Sequence, residues 1–194
     1  MSKIALTPNA SGSGTFTIAS PNSDTDRTLT LPDSSATLAT TNGITGADQW
    51  RLTTSFDQSG TQDMTTNLER VDTGGFGYIG TGMTESSGIF TFPNTGIWLI
   101  TFTVVSYGRT AVSKVEMRCN TTTDNSTYGV VSVARDSAST TDYYSGNSNS
   151  FIFDVTNTTT HKVKFTISTS ANTNIVGSSS QNETCFSFIR LGDT

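Results

Sequence analysis

At 194 residues the chain has room for one good domain and a short appendage. Its composition is 33% hydrophobic and 14% charged with a net charge of −5, and Ser and Thr together make up roughly a third of it, far above ordinary usage. No basic stripe exists for nucleic acid, no run approaches the ~20 apolar residues that cross a bilayer, and a Thr-rich chain poor in Lys and Glu has little to build helices from.

Residues 1–48 form one compositional unit. The opening MSKIALTPNASG lacks an apolar core of signal-peptide length, so the expected site of synthesis and folding is the cytoplasm. Short alternating runs follow: Thr15-Phe16-Thr17-Ile18, Arg27-Thr28-Leu29-Thr30-Leu31 and Ala36-Thr37-Leu38-Ala39. Turn clusters of Pro, Asn, Asp, Ser and Gly separate them. So few apolar side chains cannot bury a core in one copy. The segment is either disordered or folds against copies of itself or a partner, and the clean alternation favours the second.

From Trp50 onward the strands lengthen and recur at regular spacing, as in a sandwich or barrel. Strands are expected at 50–56, 88–92, 96–107, 114–120, 128–135, 149–156, 161–169 and 184–191. The Gly-rich stretch 57–87 is expected to run over the surface with short edge strands. In 114–120, Val115, Met117 and Cys119 oppose Lys114, Glu116, Arg118 and Asn120; in 161–169, Val163, Phe165 and Ile167 oppose Lys162, Lys164, Thr166 and Ser168. Such strands are wet on one face.

Strand 96–107 differs: Ile97, Leu99 and Val105 form one face and Trp98, Ile100, Phe102 and Val104 the other. The strand at 184–191 sets Cys185, Ile189 and Leu191 against Phe186 and Phe188, and 149–156 sets Phe151, Phe153 and Val155 against Ile152. A sandwich needs one buried face per sheet, so a sheet apolar on both sides needs a second cover. Another copy of the chain in a cyclic homo-oligomer is one such cover; the chain's own 57–87 segment is the other.

Little reactive chemistry is visible. The single histidine, His161, sits at a turn, and nothing marks a nucleophile for it to serve. Asp136, Asp142 and Asp154 show no pairing of the kind a glycosidase needs, and the spacing of Asp124, Asp136 and Asp142 matches no calcium motif. Cys119 and Cys185 fit no metal or redox spacing and read as buried thiols. No cofactor, metal or enzymatic activity is expected. The loop Thr140-Thr141-Asp142-Tyr143-Tyr144-Ser145-Gly146-Asn147 combines tyrosines with small polar residues, as adhesive loops do. Asp142, Tyr143, Tyr144 and Asn147 are its candidate receptor contacts.

The stretch Gly88-Ile89-Phe90-Thr91-Phe92-Pro93-Asn94-Thr95-Gly96-Ile97-Trp98-Leu99-Ile100-Thr101-Phe102 resembles the signature of the tumour-necrosis-factor (TNF) and complement globular-head jelly rolls. Trp98 stands where that signature has an aromatic, often Tyr. Later pieces agree in order: Ser145-Gly146 leading into Phe151-Ile152-Phe153-Asp154-Val155, and the closing Cys185-Phe186-Ser187-Phe188-Ile189-Arg190-Leu191, with Ser187 in place of the usual Gly. The family's Gly-Asp turn is replaced by Asn157-Thr158-Thr159-Thr160. Over residues 49–194 the resemblance implies a two-sheet antiparallel jelly-roll sandwich that forms homotrimers through an inner sheet. The trimer contact is assigned to Trp98, Ile100, Phe102, Phe151, Phe153, Phe186 and Phe188.

The N-terminal run Arg27-Thr28-Leu29-Thr30-Leu31-Pro32-Asp33 with Ala36-Thr37-Leu38-Ala39-Thr40-Thr41-Asn42-Gly43 is similar to segments in tail-fibre and other virion structural proteins of tailed bacteriophages. It implies a virion anchor in residues 1–48, with Phe16, Ile18, Leu29, Leu31 and Leu38 as its contacts and another phage structural protein, of capsid or tail, as its partner. The function expected is a fibre or spike on the virion surface that attaches to the host, with cell-surface glycan as a candidate ligand. The second reading is a decoration protein on the outside of the capsid.

Overall fold

The computed structural model describes residues 11–15, 17, 22–26, 28, 43–108, 112–138 and 142–194. Contacts divide the chain into two units, Met1–Ala39 and Thr40–Thr194. In the first, the described residues are exposed, and the Thr25 amide donates to Ser23 Oγ at 3.2 Å. The anchor residues Phe16, Ile18, Leu29, Leu31 and Leu38 lie outside the described residues.

The described part of the second unit holds eleven strands and no helix: β1 (Gly46–Leu52), β2 (Thr54–Asp63), β3 (Leu68–Arg70), β4 (Thr84–Ser86), β5 (Ile89–Thr91), β6 (Gly96–Tyr107), β7 (Val112–Thr122), β8 (Gly129–Ala138), β9 (Tyr144–Val155), β10 (Lys162–Ser178) and β11 (Cys185–Gly192). Every pairing is antiparallel. The inner layer runs β3-β1-β11-β6-β9. In the outer layer β10 is central, with β7 and then β8 on one side and β5-β4 followed by β2 on the other. The layers meet where Asn174 and Ile175 pair with Tyr107 and Ser106, so one curled sheet makes both.

The core lies between the layers. Phe165 of β10 stacks on Phe186 of β11 with centroids 4.1 Å apart. Phe90 touches Trp50, Phe165, Phe186 and Phe188 at 5.2–5.9 Å. Large apolar side chains meeting from two sheets are what makes a sandwich worth folding. Phe90 is delivered by the β4–β5 hairpin, whose two-residue turn, Ser87-Gly88, has φ of 53° and 82°. Positive φ at both positions is the turn that follows the strands' own twist, and glycine takes it without strain. A Cβ on Gly88 would also run into the Met64 carbonyl oxygen.

Two strands differ from expectation. β2 runs ten residues where a surface segment is expected, and β10 continues through Ser178. They pair with each other across a bulge between Thr169 and Thr173. β2 is an edge strand, mostly exposed, and carries a single large apolar residue, Phe56; backbone ladders hold it, and these leave no hydrophobic pattern in sequence. The head's first strand also starts earlier than residue 49. Gly46, Ala47 and Asp48 pair with Arg190, Ile189 and Phe188, and Asp48 is buried. Its carboxylate accepts from Trp50 Nε1 at 3.0 Å, the Met83 amide at 2.7 Å and Arg70 Nε at 3.0 Å.

Candidate functional site: the outward face of the inner sheet

Along β6 burial alternates without a break. Trp98, Ile100, Phe102 and Val104 are buried; Ile97, Leu99, Thr101, Thr103 and Val105 are half-exposed. The alternation arises from the pleat, which sends neighbours to opposite faces. The register then fixes what stands beside each outward residue. Leu99 faces Ile152 on one side and Ile189 on the other, Ile189 faces Ala47, and Ala47 bridges to Ile79. One row, Ile79–Ala47–Ile189–Leu99–Ile152, therefore crosses the whole sheet. Its ends are open, with Ile79 at 47% and Ile152 at 59% exposure.

Farther along β6 the rows turn small and neutral: Gln49–Ser187–Thr101–Ser150, then Cys185–Thr103–Ser148, then Val105–Gly146. The last row pairs Tyr107 with Tyr144, whose rings lie 4.9 Å apart. From Leu99 to Tyr107 the charged side chains on this face are Arg51 and its cross-strand partner Glu69. Arg51 is fully buried beneath a cover of Glu69, Asp72, Thr73 and the Ser179 carbonyl, all of which accept its hydrogen bonds.

This corrects the assignment of the contact surface. Trp98, Ile100, Phe102, Phe153, Phe186 and Phe188 are all buried within one chain, at 6% exposure or less. Phe151 is half-buried and packs against the same core. The six buried side chains fill the space between the layers and are shielded by their own chain, and Phe151 is partly so. A sandwich needs its bulkiest groups where two sheets must be bridged, about 10 Å apart. The smaller aliphatics of the same strands are left outside, and the outward face is the one open to a partner.

The candidate receptor loop divides. Tyr143 and Tyr144 are exposed at 66% and 70%. Asp142, in a left-handed conformation, accepts from Tyr107 OH at 3.0 Å, and its amide donates to the Gly108 carbonyl. Asn147 is not a loop residue. It sits in β9 and its amide donates to the Arg135 carbonyl of β8. Asn149 does the same to Val133, and Ser132 Oγ donates to the Ser150 carbonyl. β8 and β9 are thus fastened by side chains across the open side of the sandwich.

The remaining reactive groups are absorbed by structure. His161 is buried, stacks on Phe153 at 5.6 Å, and has its two ring nitrogens 3.2 and 3.1 Å from the Thr156 and Thr160 hydroxyls. Cys119 is a core thiol that burial pushes up to about 12. Cys185 is only partly buried, on the outward face, where burial raises its pKa against a hydrogen bond with Thr103. Asp124 accepts the amides of Thr127 and Ser126 and the Thr122 hydroxyl, which hold its carboxyl far below the usual carboxylate range. Among the described residues no group of three His, Cys, Asp or Glu is placed to hold a metal ion, and no helix is long and apolar enough to cross a membrane.

No protein-family model matches the sequence, and no curated protein matches it. Solved structures do. Murine APRIL superposes with a TM-score of 0.56 at 15% identity, covering 75% of this chain and 98% of its own. The Eiger TNF of S. frugiperda gives 0.54 at 10% identity, covering 76% and 93%. The globular domain of zebrafish complement 1qA gives 0.50 at 14% identity, covering 77% and 99%. At such identities the likeness is one of fold, and it agrees with the layers and register above: the protein has the all-β jelly roll shared by TNF ligands and complement globular heads.

Proposed function

We propose that the protein is a structural component of a bacteriophage virion, a trimeric appendage that displays its jelly-roll head for attachment to the host surface. The observation that carries the trimer is the outward row Ile79–Ala47–Ile189–Leu99–Ile152 with its neutral neighbours. A continuous apolar band flanked by rows of Ser and Thr is a surface built to be covered. Closed cyclic symmetry lets identical copies cover it for one another. The phage setting rests on the similarity of residues 27–43 to virion structural segments; in this reading the segment that precedes β1 docks to a capsid or tail protein during assembly in the host cytoplasm. The head then lies at the virion surface, where weak contacts to a host glycan are multiplied by three heads and many copies. The role is one of binding, not catalysis: the His161 ring is committed to Thr156, Thr160 and Phe153.

Light scattering of the purified chain at neutral pH tests the trimer. A mass three times that of the chain is expected, and a stable monomer overturns it. Quantifying the protein in purified virions tests the placement. A few trimers per particle fit a fibre or spike, and tens to hundreds fit capsid decoration. Absence from the particle ends both readings.

A further inference from the structure

At the β1–β3 edge of the inner sheet, the segment after β3 and the loop between β10 and β11 border an open hollow of about 300 Å³. We infer that this hollow is a binding site for a neutral saccharide. Within the attachment reading, on which its biological role rests, it is where the head takes host glycan.

The lining decides the ligand class. Gln49, Gln181 and Asn182, which carry side-chain amides, and Thr73 and Ser180, which carry hydroxyls, line the hollow. Amides and hydroxyls offer donors and acceptors together, which is what a sugar hydroxyl, itself both, requires. The charged group in the wall is Arg51, and its guanidinium is already surrounded by Glu69, Asp72, Thr73 and the Ser179 carbonyl. An anion finds no available cation in this wall; the nearest carboxylate, Asp72, borders the adjoining hollow and accepts from Arg51.

The polar groups are also held in place. Asn182 Nδ2 donates to Gln49 Oε1 at 2.8 Å, and Gln49 Nε2 donates to Ser187 Oγ at 2.9 Å. This relay pins Asn182 to the rigid sheet, and no donor among the described residues reaches its Oδ1. Ordering that is complete before the ligand arrives is not charged against binding. Gly74 and Gly75 form part of the rim in left-handed conformations, with open space where a side chain would stand, so the backbone there is accessible.

The apolar requirement is met by Phe76, which lines this hollow and a second one of about 430 Å³. The second continues along Val71 to Tyr78, whose ring is 50% exposed and lies 5.0 Å from the Arg70 guanidinium carbon. An aromatic wall suits the C–H face of a pyranose, and Tyr78 supplies a shelf for a second sugar unit. The exposed tyrosines at 143 and 144 line neither hollow.

The test is a titration of the ¹⁵N-labelled full chain with the methyl glycosides of glucose, galactose, mannose and N-acetylglucosamine, with sialic acid and glucosamine 6-sulfate as charged probes. At least one neutral glycoside should shift amides in 71–78 and 179–182 with millimolar affinity. Asn182→Ala and Phe76→Ala should each weaken it about tenfold with unchanged melting temperature, and Tyr143→Ala should not weaken it. A neutral polysaccharide binding more tightly than its monomer identifies a surface glycan as the source; equal affinity per sugar identifies a free sugar. Shifts confined to 142–144, preference for the charged probes, no shift with any neutral glycoside, or unchanged affinity in Asn182→Ala overturns the site. Such a failure leaves the virion reading standing, since the particle count decides that separately.

Discussion

On the outer layer, the face turned to water is written in charge. Glu116 sits between Arg118 and Arg135 at 2.6 and 2.9 Å, and Lys164 meets Asp63 at 2.7 Å. On the inner layer, the face turned away from the core carries a band of aliphatic residues, then threonine and serine, then two tyrosines. Both layers press the same aromatic core between them. The difference teaches which of two solvent-side faces is meant to stay wet. Paired charges keep a sheet soluble and discourage its association, whereas a neutral face with an apolar band leaves association open.

The comparison breaks most visibly in the core. Phe188→Ala should cost about 3–5 kcal/mol in urea unfolding, because a fully buried ring leaves a cavity behind. Leu99→Asp, on the same sheet but facing outward, should convert the proposed trimer to monomer in light scattering while the monomer's unfolding free energy moves by no more than about 1 kcal/mol. Equal damage to folding from both would mean that the faces are misassigned.

A smaller effect is expected on the charged layer. Glu116→Gln should cost about 1–3 kcal/mol, since the carboxylate is nearly buried and accepts from two arginines. It should leave association untouched. Acid gives the gentlest probe. Burial alone would raise the pKa of Glu116, but hydrogen bonds from Arg135 and Arg118 bring it below its ordinary 4.5. Burial opposes Lys164 and Thr166 in the same way at Asp63, which lies below 3.8. Carboxyls lowered in the folded state contribute stability above their unfolded pKa and lose it as pH falls through the folded value. Melting temperature should therefore hold down to about pH 5 and then decline, less steeply in Glu116→Gln.

Much of this layout was legible in the chain. β6 begins and ends where the alternation from Gly96 to Tyr107 begins and ends; in β7 and β10 the polar residues alternate with the core residues as the pattern implies, but the wet face it leads one to expect is largely covered, with Glu116, Asn120, Lys162, Thr166 and Ser168 buried. The direction of β6 was not legible. Alternation reveals two apolar faces and does not say which is inside; side-chain volume does, because only Trp98, Phe102 and their partners Phe186 and Phe188 are large enough to reach the opposite layer. Most of β2 carries too few apolar residues to show a pattern, and the Ser and Asn that dominate the first half of β9 give Asn147 the composition of a loop. The saccharide hollow had no sequence signal at all. Gln49, Phe76 and Asn182 converge only once β1 has paired with β11 and two loops have folded over Arg51.

The asparagine fastening between β8 and β9 bears on how the protein behaves when crowded. A sheet edge with idle carbonyls recruits strands from other molecules, and the hazard grows with local concentration. Here the Val133 and Arg135 carbonyls are occupied by Asn149 and Asn147 of the same chain. Two acceptors of the β8 edge are thus held within the chain without a backbone ladder, which leaves fewer there to recruit a strand from another molecule.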